Sequence, residues 1–172
     1  MSLTYDQLVQ VLVYDPETGQ FRWRHRSDVP NAWNAKWAGR IAGAKARGGK
    51  RLYTQLMLHK RNYKAHRLAW LYMTGRWPDS EIDHIDCDGF NNKWSNLRLA
   101  NRSQNGANSP AYSNNGCGVK GAHLYSGNGK YRARIHCKGR THNLGYFDTP
   151  EEAGAVYAEA AKRLFGEYAR SS

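Results

Sequence analysis

The chain of 172 residues carries 26 Lys+Arg against 14 Asp+Glu, a formal net charge of +12 and a sequence pI near 9.8. That length is enough for one or two compact domains with a buried core. The longest apolar run, Leu68 to Met73, is too short for a membrane helix, and the first residues lack the apolar stretch of a secretory signal. Three scattered cysteines with no CxxC pair argue against a disulfide framework and a structural zinc, and they fit a reducing cytoplasm.

Thr4-x-x-Gln7 reads as a capping box with Leu3 and Leu8 as a hydrophobic staple, which predicts a short helix over Tyr5 to Leu12. Asp15 to Gly19 is a turn, and Gln20 to Arg24 alternates as a strand. From Gln20 to Arg76 fourteen Lys/Arg stand against one acid, Asp28, interleaved with Trp23, Trp33, Trp37, Tyr53, Tyr63 and Trp70. Cationic surface with aromatics between the charges suits a nucleic acid. Within that stretch Val29 to Gly49 lacks periodicity and is predicted irregular or built of short strands. Arg51 to Leu58 and Asn62 to Ala65 are predicted strands joined near Lys60. Ala65 to Thr74 suits a helix with Leu68, Leu71 and Tyr72 on one face and Gly75 as its cap. Asp79 to Asp88 then holds five acids and no base.

Ser103 to Gly118 is uncharged and rich in Ser, Asn and Gly, the composition of a linker. After it, Val119 to Tyr125, Lys130 to His136 and Arg140 to Leu144 read as three strands. Thr149-Pro150-x-Glu152 starts a helix with Ala153, Val156, Tyr157, Ala160 and Leu164 as its apolar stripe and Gly166 at its end. Alternation along Lys130 to His136 puts Arg132, Arg134 and His136 on one sheet face and Tyr131, Ala133 and Ile135 on the other. The apolar face must pack on the helix, which leaves the basic face to solvent and to the major groove of DNA.

The most specific stretch runs from Asp83-His84 through Asp88-Gly89 to Asn91-Asn92, followed by Asn96-Leu97-Arg98 and Gln104-Asn105. An EF-hand loop is excluded, because His84 and Ser95 would stand where it requires carboxylates. A hydrolytic metal site fits better. Asp83 and the amide oxygen of Asn105 can supply hard oxygen ligands to a divalent ion, and His84 beside them can take a proton from water. Asn91 and Asn92 are expected to fix the turn after the first strand. Arg98 and Arg102 are expected to share one helix face and to touch backbone phosphates.

These residues resemble the HNH (ββα-metal) nuclease family, in its homing-type phage form. The resemblance rests on Asp83-His84, on Asn96-Leu97-Arg98 after it, and on an Asn in the place of the third histidine. Ala65-His66-Arg67-Leu68-Ala69-Trp70, Met73 to Pro78 and Tyr14-Asp15-Pro16-Glu17-Thr18-Gly19 are also similar to phage-type members. The resemblance implies that His84 is the general base, that Asp83 and Asn105 hold one divalent metal, Mg2+ or Mn2+, and that Asn96 hydrogen-bonds the loop presenting His84. Asn108 is the alternative ligand to Asn105. Residues 116–169 resemble the plant Apetala/ethylene-response-factor DNA-binding domain through Lys130-Tyr131-x-Ala133-x-Ile135, Leu144-Gly145-Tyr146-Phe147-Asp148-Thr149 and Glu151-Glu152-Ala153. Thr141 and Asn143 stand where that family has Arg and Trp in its third strand, which changes the inherited sequence preference.

The expected fold class is α+β: a ββα-metal core with an N-terminal mixed α/β extension, plus a small domain of a three-stranded antiparallel sheet on one helix. The expected divisions are a basic extension over 1–64, a nuclease core over 65–108, a linker over 109–117 and a DNA-binding domain over 118–169. The expected function is metal-dependent DNA cleavage of homing or nicking type, with an inactive sequence-specific DNA-binding protein or regulator as the alternative. Expected DNA contacts are His66, Arg67, Arg98, Arg102, Lys120, Arg132, Arg134, His136, Thr141 and Asn143. The expected partner is double-stranded DNA, bound by a cytoplasmic monomer with no membrane, structural zinc or organic cofactor.

Overall fold

A computed structural model describes residues 3–48, 51–111 and 115–170. The chain divides into two compact units, one up to Leu99 and one from Ala100. Both are mixed α/β with small antiparallel sheets.

In the first unit helix α1 (Tyr5–Val11) begins with both halves of the Thr4/Gln7 capping box, and Leu3 and Leu8 are buried. Strand β1 (Leu12–Asp15) follows directly and pairs antiparallel with β2 (Gln20–Trp23). β1 is not among the sequence expectations, because the helical pattern of α1 runs into it without a polar break. The stretch expected to be irregular or built of short strands over Val29 to Gly49 opens instead with helix α2 (Asn31–Trp37), while its later part does hold short strands, over 41–42 and 44–48; Gly49 lies outside the described residues. The helix escapes a hydrophobic reading because its buried residue is Asn34. That carboxamide is held by Arg26, accepting from its N–H at 3.0 Å and donating to its carbonyl at 2.6 Å.

β3 (Ile41–Ala42) adds to β2, closing a sheet of order β1-β2-β3. β4 (Ala44–Gly48), β5 (Arg51–Leu58) and β6 (Arg61–Lys64) form an antiparallel meander. Helix α3 (Ala65–Thr74) spans the residues expected of it and ends on Gly75, whose φ of 74° is the left-handed cap glycine supplies without strain. β7 (Glu81–His84) and β8 (Leu97–Ala100) make a two-stranded sheet, with a single 3-10 turn over Trp94–Asn96 ahead of β8. One core gathers Leu8, Leu12, Phe21, Leu56, Leu68 and Leu71 from these elements. The α3 stripe therefore packs against all three regions of the unit that precede the reactive stretch.

In the second unit helix α4 (Arg102–Asn108) occupies residues read as the start of a linker. Its start signal is a capping box of Asn101 and Gln104, which the Ser/Asn/Gly composition hides. Within the linker expected over 109–117, residues 112–114 lie outside the described residues. β9 (Ala122–Leu124), β10 (Tyr131–Cys137) and β11 (Arg140–Phe147) form an antiparallel sheet of order β11-β10-β9. Helix α5 (Pro150–Phe165) opens with the Thr149/Glu152 capping box. Its buried stripe is Ala153, Ala160, Ala161 and Phe165. Leu164, expected in that stripe, is 44 % exposed, because Phe165 already fills the position over Cys137 and Ile135. Burial along β10 alternates as expected, with Ala133, Ile135 and Cys137 inside. A register shift between Ala133 and Arg134 makes Arg134 face Asn143 and leaves Leu144 to pack in the core.

Candidate active site

β7 ends in two polar residues, Asp83 and His84, that are only 3 % and 6 % exposed. Polar groups this deep require partners, since an unpaired one costs about 1–3 kcal/mol. For Asp83 the partner is Arg98, whose Nε and Nη2 donate to Oδ2 at 3.0 and 2.9 Å. Arg98 thus stands on β8, not on a helix face shared with Arg102, which opens α4. The hairpin, rather than a helical repeat of four, decides where its guanidinium goes.

His84 meets Asn92, which is 2 % exposed. The imidazole Nε2 lies 3.3 Å from Asn92 Oδ1. The orientation of this carboxamide follows from its other end, where Nδ2 donates to the Phe90 carbonyl at 3.0 Å. Oδ1 can only accept, so the neutral imidazole carries its proton on Nε2 and its lone pair on Nδ1. Burial pushes the His84 pKa below its ordinary value, against the Asn92 hydrogen bond and the charges of Asp86, Asp83 and Asp88. Neutral His84 is therefore the form present at pH 7.

A second imidazole lies alongside. His66 of α3 is 5 % exposed, with its ring edge-to-face on His84 at 4.9 Å between centroids and on Tyr53 at 5.3 Å. Its Nδ1 is buried with no hydrogen-bond partner among the described residues. Burial lowers its pKa to about 3, with the His84, Lys64 and Arg67 charges adding to the effect. A ring so enclosed has no surface to offer a phosphate, which corrects its expected place among DNA contacts.

The loop between β7 and β8 is held by its own side chains. Asn96 Oδ1 accepts from the Asp86 N–H at 3.1 Å, and its Nδ2 donates to Asp86 Oδ1 at 2.9 Å and to the Asn91 carbonyl at 2.8 Å. Asn91 Nδ2 donates to Asp86 Oδ2 at 2.6 Å. Asp86 in turn accepts from the Asp88 N–H, and Asp88 from the Phe90 N–H. Against burial, the hydrogen bonds from Asn91 and Asn96 lower the Asp86 pKa. The acidic run is thus a self-bonded turn.

The structure brings together Asp83, His84 and Asn96 of the sequence-derived set, moves His66 from an expected DNA contact to the side of His84, and adds Asn92 and Tyr53. The only sequence signal for Asn92 was the Asn91-Asn92 pair, read as a turn. Asn105 and Asn108 lie on α4 in the second unit, where Asn108 is 4 % exposed. Among the described residues, no three His, Cys, Asp or Glu side chains cluster as metal ligands. The donor chemistry of Asp83 with an Asn amide oxygen suits a hard divalent cation rather than zinc.

The remaining expected DNA contacts differ in exposure. Arg67 lies over the Trp77 ring at 5.9 Å. Arg102 is exposed at the start of α4. Lys120 donates to the Ala107 carbonyl and lies over Tyr157. The Arg132 guanidinium lies 5.4 Å from the Tyr125 ring centre, and its Nε is buried without a hydrogen-bond partner among the described residues. Arg134, His136, Thr141 and Asn143 are exposed together on the outer sheet face, with His136 Nδ1 3.2 Å from Thr141 Oγ1.

Residues 63–107 match the family model of HNH endonucleases. An uncharacterized HNH endonuclease of Acanthamoeba polyphaga mimivirus is 40 % identical over 106 residues, covering 60 % of this chain and 54 % of the relative. Protein 3.8 of Escherichia phage T7 is 31 % identical over 116 residues, covering 65 % of this chain and 95 % of the relative. The chain therefore spans about half the length of the first and nearly all of the second. No solved structure matches it.

Proposed function

We propose, because residues 63–107 match the HNH endonuclease family model and a relative that is 40 % identical bears that family's name, that this chain is a DNA nuclease that hydrolyses phosphodiester bonds with His84 as general base. The observation that carries this is the neutral imidazole of His84, tethered through Nε2 to Asn92 and adjacent in sequence to the Asp83 carboxylate. With Nε2 beside Asn92, Nδ1 is the nitrogen proposed to take the proton of an attacking water. A base kept neutral by burial needs no deprotonation before it acts. Asp83 and, on α4, Asn105 are the proposed ligands of one divalent cation, Mg2+ or Mn2+. Such an ion would neutralise charge on the scissile phosphate and on the leaving oxygen. Asn96 holds the loop in place through Asp86 and Asn91.

The outer face of the second unit's sheet is the proposed DNA reader, a module similar to the ethylene-response-factor domain. Arg132, Arg134, His136, Thr141 and Asn143 would face the major groove, with Arg67 and Arg102 on phosphates. One reactive centre per chain fits a monomer that nicks one strand. The test is a supercoiled-plasmid assay. With Mg2+ or Mn2+ the protein converts the plasmid to the nicked form, and a chelator stops it. His84→Ala lowers the rate about 10²–10⁴-fold, the range for losing a general base, while duplex binding is retained. A His84→Ala protein that cuts like wild type would overturn the assignment.

A further inference from the structure

The stretch Tyr14-Asp15-Pro16-Glu17-Thr18-Gly19 has no part in the chemistry above, yet the turn it forms ends on the loop that faces His84. Tyr14, 4 % exposed, donates its hydroxyl to the Asn92 carbonyl at 2.6 Å across 78 residues of sequence. The carbonyl of Pro16 accepts from the Trp94 N–H at 3.0 Å. Gly19 completes the contact. Its φ is 71°, and a Cβ there would run into the backbone of Asn92 and Lys93. A hydroxyl, a carbonyl and a bare Cα thus converge on three consecutive residues, 92–94.

The turn itself is internally braced. Asp15 Oδ1 accepts from the N–H groups of Glu17 and Thr18 at 3.0 and 3.3 Å, and Oδ2 accepts from the Thr18 hydroxyl at 2.7 Å. The Gly19 N–H closes it on the Asp15 carbonyl at 2.8 Å. On the far side, the Tyr14 ring packs on Phe21 at 4.8 Å and on Tyr72 of α3 at 5.7 Å between centroids. The contact surface is therefore rigid and tied to the core.

We propose that the Tyr14–Gly19 turn is a positioning device for the general base, acting through Asn92. The turn clamps the Asn92 backbone, and the Asn92 carboxamide, 3.3 Å from Nε2, then fixes the ring orientation and the Nε2–H tautomer of His84. Tyr14 is a positioning residue in this scheme and touches no reacting atom. The inference rests on His84 being the base.

The test is Tyr14→Phe in the full chain, which removes one hydroxyl and keeps the ring. Cleavage is followed as a function of pH, well below the melting temperature of both proteins. The expected result is a kcat about tenfold lower, the scale of one lost buried hydrogen bond, with KM for duplex DNA unchanged. Asn92→Ala alone should do the same, and adding Tyr14→Phe to it should cost little more. Ring 15N shifts of His84 read the tautomer directly, with a single Nε2–H form in wild type and a mixture in Tyr14→Phe. A Tyr14→Phe protein with lower thermal stability but wild-type kcat and tautomer would overturn the proposal, as would additive losses in the double variant. Failure of the underlying reading shows separately, as undiminished cleavage by His84→Ala.

Discussion

His66 and His84 meet edge to face inside the first unit, and burial lowers the pKa of both. The consequence for stability has a definite sign. The unfolded chain takes up the His66 proton near pH 6.5, whereas the folded chain does so only at about 3. Between those values the unfolded state holds more protons, so the fold loses stability as pH falls through that window and none above it. Urea titrations at pH 7.5, 5.5 and 4.5 should show the midpoint dropping stepwise, and His66→Phe should flatten much of the drop. The same variant removes the partnerless Nδ1 and should stabilise the protein at pH 7 by about 1 kcal/mol. For His84 the same lowering predicts cleavage that holds its plateau into mildly acidic buffer, measurable as a kcat–pH profile whose acid limb lies below pH 6.5. At this scale the sequence made Asp83, His84 and Asn96 visible through residue type and spacing. It named Asn92 as a turn residue and His66 as a DNA contact, and missed their place beside His84, which comes from chain segments that meet only after folding.

Elements with a Thr capping box, a glycine cap or a clear apolar alternation were legible, and short helices with polar or small inner residues were not. The capping boxes of α1 and α5 and the glycine cap of α3 are local in sequence, so their helices stand where those residues place them. Thr149→Ala should therefore cost about 1 kcal/mol of stability in the second unit, checked by thermal unfolding followed through far-UV circular dichroism. Strand β10 was legible because its alternation matches one buried and one exposed face. α2 and α4 were not, because each is a two-turn helix whose inner residues are largely polar or small: Asn34 in one, Ala107 and Asn108 in the other. Two turns of helix carry too few apolar positions for a period of 3.6 to register. Arg98 illustrates the cost of such a gap. Once Leu97–Ala100 is a strand, its side chain pairs across the sheet with Asp83 instead of joining Arg102.

For the whole molecule the governing quantity is the formal charge of +12. If DNA is the substrate, as proposed, such a surplus would draw it from a distance, and binding would release counterions from each neutralised phosphate. Duplex affinity should therefore fall steeply between low and physiological salt. Arg134→Ala, which changes an exposed residue of the sheet face, should weaken binding and flatten the log–log salt slope by about one unit. A fluorescence anisotropy titration over a salt series checks both, and an unchanged slope would remove Arg134 from the interface. The division after Leu99 places the proposed base and the proposed reading face in different units, each with its own buried core.

The contact of Tyr14 and Gly19 with residues 92–94 also bears on how the protein comes into being. Translation runs from the amino end, so the ribosome releases the buttress long before the loop that rests on it. The loop then arrives at a surface already waiting for it.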